Sequence, residues 1–126
     1  MIKITYLEDG ICVEHLPKSA EIWKADRILL SLRAGISIYA ESGIGSLVFP
    51  ISPLYLEGLA KLAETELIYI SPCDEDCVEV SLLGMWVAES EDSEEGIFVC
   101  NLSCDNEYLL SRLWQESLLE TSAVGE

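Results

Sequence analysis

Apolar and polar residues alternate along the first part of the chain with the period of two that a β-strand imposes. Residues 2–7 alternate in this way, the turn signal Glu8-Asp9-Gly10 follows, and residues 11–16 fit a returning strand. The pattern predicts that the chain begins with a β-hairpin.

Three later segments carry apolar residues at the 3.6-residue spacing of an amphipathic helix. They span residues 19–33, 52–64 and about 103–119. Ser19 is the expected N-cap of the first, Gly35 follows its end, and a Ser-Pro pair opens the second. The expected core faces are Ile22, Ala25, Ile28, Leu29 and Leu32 on the first helix, Tyr55, Leu56, Leu59, Leu62 and Ala63 on the second, and Leu110, Leu113, Trp114 and Leu118 on the third.

The remaining apolar segments are short and rich in β-branched and aromatic residues, as strands are. They span residues 36–41, 46–51, 67–71, 78–88 and 97–102. The first two flank a Ser-Gly-Ile-Gly sequence, which predicts a second hairpin. Gly84 predicts a bulge or bend within the long fourth segment.

These elements follow one another in the order ββαββαβββα. Their short links favour antiparallel neighbours, so we expect an α+β fold with a single antiparallel-rich sheet and three helices. One such domain is expected over residues 1–120, followed by a flexible C-terminal tail at residues 121–126.

The chain has 126 residues, and its 23 acidic and 7 basic side chains give a formal net charge of −16. This excess opposes binding to nucleic acid or to an anionic membrane, because phosphates need Lys and Arg nearby. No apolar run approaches the roughly 18 residues of a membrane span, and no signal-peptide pattern begins the chain. We therefore expect a cytoplasmic protein with no nucleic-acid and no membrane partner.

The charges are unevenly distributed. From Leu62 to Ser111 there are 13 acids and no Lys or Arg, whereas residues 18–33 hold four of the seven bases. An acidic surface beside a basic helix could serve complementary association or could only balance the fold internally.

Two helices carry residues of the types that dominate protein interfaces, away from their expected core faces. They are Trp23, Arg27 and Leu30 on the first helix and Tyr108 and Arg112 on the last. We predict that these five residues form an interface; the alternative is that neighbouring loops or the first hairpin cover them.

The five cysteines contain a doubled spacing, Cys73 with Cys77 and Cys100 with Cys104. Four thiolates could hold zinc, but three residues separate each pair and the acidic insert Asp74-Glu75-Asp76 raises thiol pKa values. Reduced cysteines that are mostly buried are the favoured interpretation. His15, the single histidine, is expected at the rim of the first hairpin.

Neither glycine-rich nor acidic segments form a cofactor motif. Gly43-Ile44-Gly45 joins two strand-like segments rather than opening a helix, so it is not a phosphate loop. The acidic run at residues 89–95 lacks the ligand spacing and central glycine of a calcium loop. We expect no cofactor and assign no catalytic residue.

Four segments carry a resemblance to a known family. They are LLSLRAG at 29–35, VEVSLLGMW at 78–86, SEEGIFV at 93–99 and LWQE at 113–116. Together they resemble a family of small, uncharacterised cyanobacterial proteins, and the resemblance extends over most of the chain. It implies a cyanobacterial, cytoplasmic source and transfers no activity.

The sequence therefore favours a non-enzymatic, acidic protein-interaction module that self-associates as a homodimer or binds another protein. Two alternatives remain open. One is a small enzyme that uses carboxylates or a cysteine. The other is an acidic mimic of nucleic acid that inhibits a protein with a basic site.

Overall fold

A single antiparallel sheet runs through the protein, and helices lie against both of its faces. The computed structural model describes residues 1–65 and 68–124. Its elements are β1 (Ile2–Leu7), β2 (Gly10–His15), α1 (Ala20–Arg33), β3 (Tyr39–Pro50), α2 (Pro53–Thr65), β4 (Ile68–Pro72), β5 (Cys77–Ala88), β6 (Gly96–Cys100) and α3 (Cys104–Val124). The predicted α+β class, single antiparallel sheet and three helices are confirmed.

The strands follow the order β2-β1-β6-β5-β3, and β4 pairs with β5 beside this path. The long strand β5 changes partner along one edge, because β4 pairs with its first half and β6 with its last residues. Gly84 lies between these two stretches, where an added Cβ would stand 2.7 Å from Phe98 Cζ. The glycine predicted to mark a bend thus lies where the strand changes partner.

The predicted second hairpin is wrong, since residues 39–50 form the one continuous strand β3. Gly43 and Gly45 lie inside it, where a Cβ would stand 2.5 Å from ring atoms of Trp86 and Phe98 respectively. Their lack of a side chain therefore serves close packing of aromatic rings rather than a turn.

One face of the sheet forms the main core with α2 and α3. The alternating residues Ile2 and Ile4 of β1 are fully buried there. The largest other side chains of this core are Leu47, Phe49, Tyr55, Leu59, Leu82, Phe98, Leu110, Leu113 and Trp114. Phe49 and Trp114 meet edge to face, with ring centroids 5.7 Å apart, a favoured aromatic geometry.

The opposite face carries a much smaller apolar cluster. Met1, Ile97 and Val99 are buried there, and Ala20 and Trp23 of α1 pack against them. Lys3 and Arg27 lie over the indole of Trp23, at 5.9 Å and 5.6 Å from the ring centroid. This second face is therefore covered by α1 in the region of β1 and β6.

The predicted helix signals are confirmed in part. Ser19 caps α1 by accepting the Ile22 N–H at 3.4 Å, and Gly35 takes the positive φ of 75° just past its end. Leu56 and Leu118, predicted as core, are exposed. The helix α3 continues to Val124, beyond the predicted end near residue 119. The side chains of Leu62 and Ala63 and the predicted strand start at Leu67 lie outside the part that is described.

Candidate interaction surface

One apolar side of α1 faces away from the sheet. Ile22, Ala25, Leu29 and Leu32, hereafter the α1 stripe, share one side of the helix as their spacing predicts. Ile22 is 58 %, Leu29 52 % and Leu32 66 % exposed, and no residue of α1, all of which is described, is buried. The predicted core face of this helix is therefore wrong except at Ile28, which is half-buried; the helix packs through Ala20 and Trp23 instead.

A second apolar surface lies on the same face of the sheet. Beyond the region that α1 covers, Ile44 and Val48 of β3, Leu83 of β5 and Tyr69 of β4 are between 44 % and 58 % exposed; we call them the open half-sheet. Ile44 and Leu83 are directly paired across β3 and β5. Side chains on one face of a sheet alternate with those on the other, so these positions point away from the main core.

The open half-sheet borders the part of the sheet that α1 covers, and Met85 lies at that border. This side chain packs against the cluster that holds Trp23, and it lies two residues from Leu83 on the same side of β5. The open half-sheet thus begins where the cover provided by α1 ends. The α1 stripe and the open half-sheet both expose several large apolar side chains on this side of the sheet, and exposed apolar surface of this kind marks interaction sites, so they are the best candidates for function.

The five residues predicted as an interface lie in different environments. Trp23 is half-buried against the sheet with Arg27 over its ring, and Leu30 is 65 % exposed. Tyr108 and Arg112 lie exposed on α3, where Arg112 Nε is 3.6 Å from Glu116 Oε1. Trp23 is thus partly covered by the sheet, and the interface role of the five residues remains a prediction.

The outer edge of β3 is partly occupied by side chains of the protein itself. Tyr6 donates its hydroxyl proton to the Ser46 carbonyl at 2.8 Å and accepts the Ser46 N–H at 3.1 Å. Trp86 donates from Nε1 to the Ile44 carbonyl at 3.1 Å. These side chains use backbone groups that another strand would need for pairing along the middle of β3.

The four cysteines considered for zinc are spread over the fold. Cys73 and Cys77 flank the turn from β4 to β5, while Cys100 ends β6 and Cys104 begins α3. The described residues contain no group of three or more ligating side chains placed to hold a metal ion. Burial, and then the charge of Asp74, raises the pKa of the Cys77 thiol.

The expectation of mostly buried cysteines is wrong. Only Cys100 is fully buried; Cys77 is half-buried, and Cys12, Cys73 and Cys104 are exposed. The spacing of these residues does not predict their burial, because Cys77, Cys100 and Cys104 each lie at the end of an element and yet are half-buried, buried and exposed respectively.

A polar cleft at the other edge of the sheet is joined through His15 to a buried carboxylate that the sequence did not single out. Glu107 is 1 % exposed and accepts hydrogen bonds from the Leu102 N–H at 3.2 Å and the Met1 amino group at 2.5 Å. His15 Nδ1 lies 3.0 Å from the same carboxylate. The imidazole lines a cleft of about 420 Å³ with Tyr108 and Arg112.

The structure defines the protein as an α+β domain with one fully covered and one half-covered sheet face. The chain belongs to the Alr0857-like family, whose sequence pattern matches residues 1–118. The family carries no assigned activity, and the resemblance inferred from the sequence is confirmed. Comparison with curated proteins and with solved structures gives no match. None of the helices, over the described residues, is long and apolar enough to cross a membrane.

Proposed function

We propose that this protein is an interaction module that docks a protein partner on the α1 stripe. The observation that carries the proposal is an amphipathic helix whose apolar side is exposed. The apolar side of an amphipathic helix is normally buried against other elements, because full burial of one large apolar side chain contributes roughly 1.5–3 kcal/mol of favourable free energy. A partner that covers the stripe would gain this free energy of apolar burial.

The surroundings of the stripe support docking of a protein rather than a small molecule. The stripe is convex and the open half-sheet beside it carries few charges, whereas small-molecule sites are concave with a few converging polar groups. Arg33, one turn after Leu29, is exposed at the border of the stripe and suits the polar rim that surrounds an apolar interface centre.

Site-specific photo-crosslinking in cells tests this proposal. A photoreactive phenylalanine derivative replaces Leu29 in one variant and Leu118 in a control, because Leu118 is similarly exposed but lies on α3 across the sheet. We expect protein adducts from position 29 and few from position 118. Equal yields, or no adduct at position 29, would overturn the assignment.

A second candidate function rests on the cleft at His15 and Glu107. A carboxylate that holds one ring nitrogen of a histidine leaves the other nitrogen available to a ligand or a proton transfer. Ser111, whose buried Oγ has no hydrogen-bond partner among the described residues, lines the same cleft. A carboxylate-oriented histidine beside a serine in a cleft is the kind of site that a small enzyme could use.

Because the chain has one histidine, its ring signals can be followed by NMR without assignment. Inorganic phosphate and acetate serve as probes of anion binding beside Arg112. A saturable shift of the His15 signals that is lost in Arg112→Ala would support the cleft as a ligand site. Unshifted signals at high probe concentration would count against it.

A further inference from the structure

We propose that the partner is a second copy of this chain, and that the two copies dock reciprocally. The α1 stripe of each copy covers the open half-sheet of the other. This inference rests on the proposed function and adds to it the identity of the occupant and the geometry of the contact.

The two surfaces have complementary forms. The open half-sheet is an apolar sheet face with no helix packed on it, and the α1 stripe is an apolar helix face with no sheet packed on it. Each could bury the other. Both lie on the side of the sheet where α1 packs, because Met85, which packs in the Trp23 cluster, lies two residues from Leu83 on the same face of β5. With a twofold axis, the stripe of each copy contacts the open half-sheet of the other, so all four surfaces are buried in one dimer.

The available area suffices for a stable dimer. The large side chains concerned are Ile22, Leu29 and Leu32 on the stripe and Ile44, Val48, Tyr69 and Leu83 on the open half-sheet. At their observed exposures they present roughly 700 Å² together, close to the roughly 800 Å² that each partner contributes to a standard protein interface.

The charges near the two surfaces are also complementary. Arg33 borders the stripe one turn after Leu29, and neither Arg33 nor Lys24 of α1 has an ion-pair partner among the described residues. Strands β4 and β5 carry Glu79 and the exposed turn Asp74-Glu75-Asp76, with no Lys or Arg. Placing the bases of one copy beside these acids reduces the repulsion between two strongly acidic molecules.

The alternative of pairing two β3 edges into a continuous sheet is disfavoured. Tyr6 already uses both backbone groups of Ser46, and Trp86 uses the Ile44 carbonyl. An added strand would have to displace these side chains from the centre of the edge. Docking between faces leaves them in place.

The first measurement is the native mass of the purified protein over a concentration series, by light scattering coupled to size-exclusion chromatography. We expect a dimer that Leu32→Lys on the stripe and Leu83→Glu on the open half-sheet each weaken about tenfold or more, as central interface residues do. Leu118→Glu, an equally drastic change at a similarly exposed position of α3, should leave the mass unchanged.

Mixing the two weakened variants tests the reciprocal geometry. In a mixed dimer, one helix-on-sheet contact is entirely wild type and the other places the introduced lysine opposite the introduced glutamate. We therefore expect the mixture to form dimers that neither variant forms alone at the same concentration. Dimers lost only in Leu32→Lys would instead indicate contact between two α1 helices, which overturns the reciprocal arrangement.

A monomeric wild-type protein at every concentration would overturn the second copy as occupant. The crosslinking at position 29 then still decides the proposed function separately: adducts of a foreign mass would keep α1 as a docking helix for another protein. Circular dichroism of each variant excludes misfolding, which is not expected because both side chains are about half or more exposed.

Discussion

Tyr6 joins parts of the sheet that are not neighbours in the strand order. It belongs to β1, stacks on Trp86 of β5 with centroids 4.9 Å apart, and hydrogen-bonds the Ser46 backbone of β3. Burial raises the pKa of its phenol, although the hydrogen bond to the Ser46 backbone acts in the opposite direction. The neutral phenol of Tyr6 therefore links β1 to the outer edge of β3.

Replacing Tyr6 by Phe should lower the free energy of unfolding by about 1–2 kcal/mol, because the Ser46 N–H and carbonyl lose their partner. Denaturant unfolding measures this change. Tyr69→Phe is the control: its ring is exposed and should tolerate the loss of the hydroxyl. Equal effects at the two positions would contradict the role assigned to the Tyr6 hydroxyl.

The raised pKa of Tyr6 also predicts a pH dependence. The neutral phenol is favoured in the folded state, so its contribution is fully present below the unfolded pKa of about 10. It is lost as the pH rises through the higher folded value. Wild type should therefore lose more stability than Tyr6→Phe on going from neutral to strongly alkaline solution. A constant difference between the two proteins across that range would argue against this coupling.

Glu107 is the other side chain whose loss should be costly. Its carboxylate is buried and neutralises the amino group of Met1, whose side chain is also fully buried. Glu107→Gln leaves that ammonium without a counter-charge, and breaking a buried pair in this way costs about 3–5 kcal/mol. Glu116→Gln removes a half-exposed partner of Arg112 and should cost under about 1 kcal/mol. Thermal unfolding of the two variants should separate them clearly; similar losses would contradict the assignment.

At the scale of elements, the signals that are local in sequence predicted the structure well. Helix starts depend on Ser19 and on Ser52-Pro53, which act within one turn, and their positions agree with the structure. The glycines of β3 could not be interpreted from the local sequence, because Gly43 and Gly45 fit both a turn and a strand against which aromatic rings pack closely. The rings that decide between the two, Trp86 and Phe98, come from later strands.

The same limit applies to the candidate site. Helical spacing correctly grouped Ile22, Leu29 and Leu32 on one side of α1, but spacing does not say whether that side meets its own chain or another. The structure places it outward. The buried Glu107 escaped prediction for a related reason, since 23 acids offer no sequence feature that distinguishes one buried carboxylate.

Gly84 provides a test of how β5 passes from one partner to the next. In Gly84→Ala the new methyl would lie 2.7 Å from Phe98 Cζ and 2.9 Å from Cys100 Cβ, and it would also press on the Val99 backbone carbonyl. We expect a loss of at least about 1–3 kcal/mol, since overpacking against backbone cannot be relieved by a side-chain rotation.

Gly58→Ala in α2 is the matched comparison for Gly84→Ala. Its methyl would lie 3.0 Å from the Leu113 Cδ1 atom, a side-chain end that can move, and alanine favours the helix by up to about 1 kcal/mol. Denaturant unfolding should show a much smaller loss here. A loss as large as at Gly84 would mean that the backbone contact is not what excludes alanine from β5.

At the scale of the whole molecule, two forces act on the proposed dimer in opposite directions. Apolar burial between the α1 stripe and the open half-sheet favours association, and it depends little on salt at moderate ionic strength. The formal charge of −16 on each copy opposes association at long range. Individual charge pairs at the rim contribute at most about 1 kcal/mol each, so they do not cancel that repulsion.

The balance predicts that salt strengthens self-association. The screening length falls from about 30 Å at 0.01 M to about 10 Å at 0.1 M, so repulsion between the bodies of two copies is largely removed while their apolar contact remains. Sedimentation of the wild-type protein across this range should show a lower dimer dissociation constant at the higher salt concentration. Association that weakens with salt would mean that attraction between opposite charges dominates, as it would for a basic protein bound by the acidic surface. The charge on this molecule would then act as a binding determinant rather than as a repulsive background to an apolar interface.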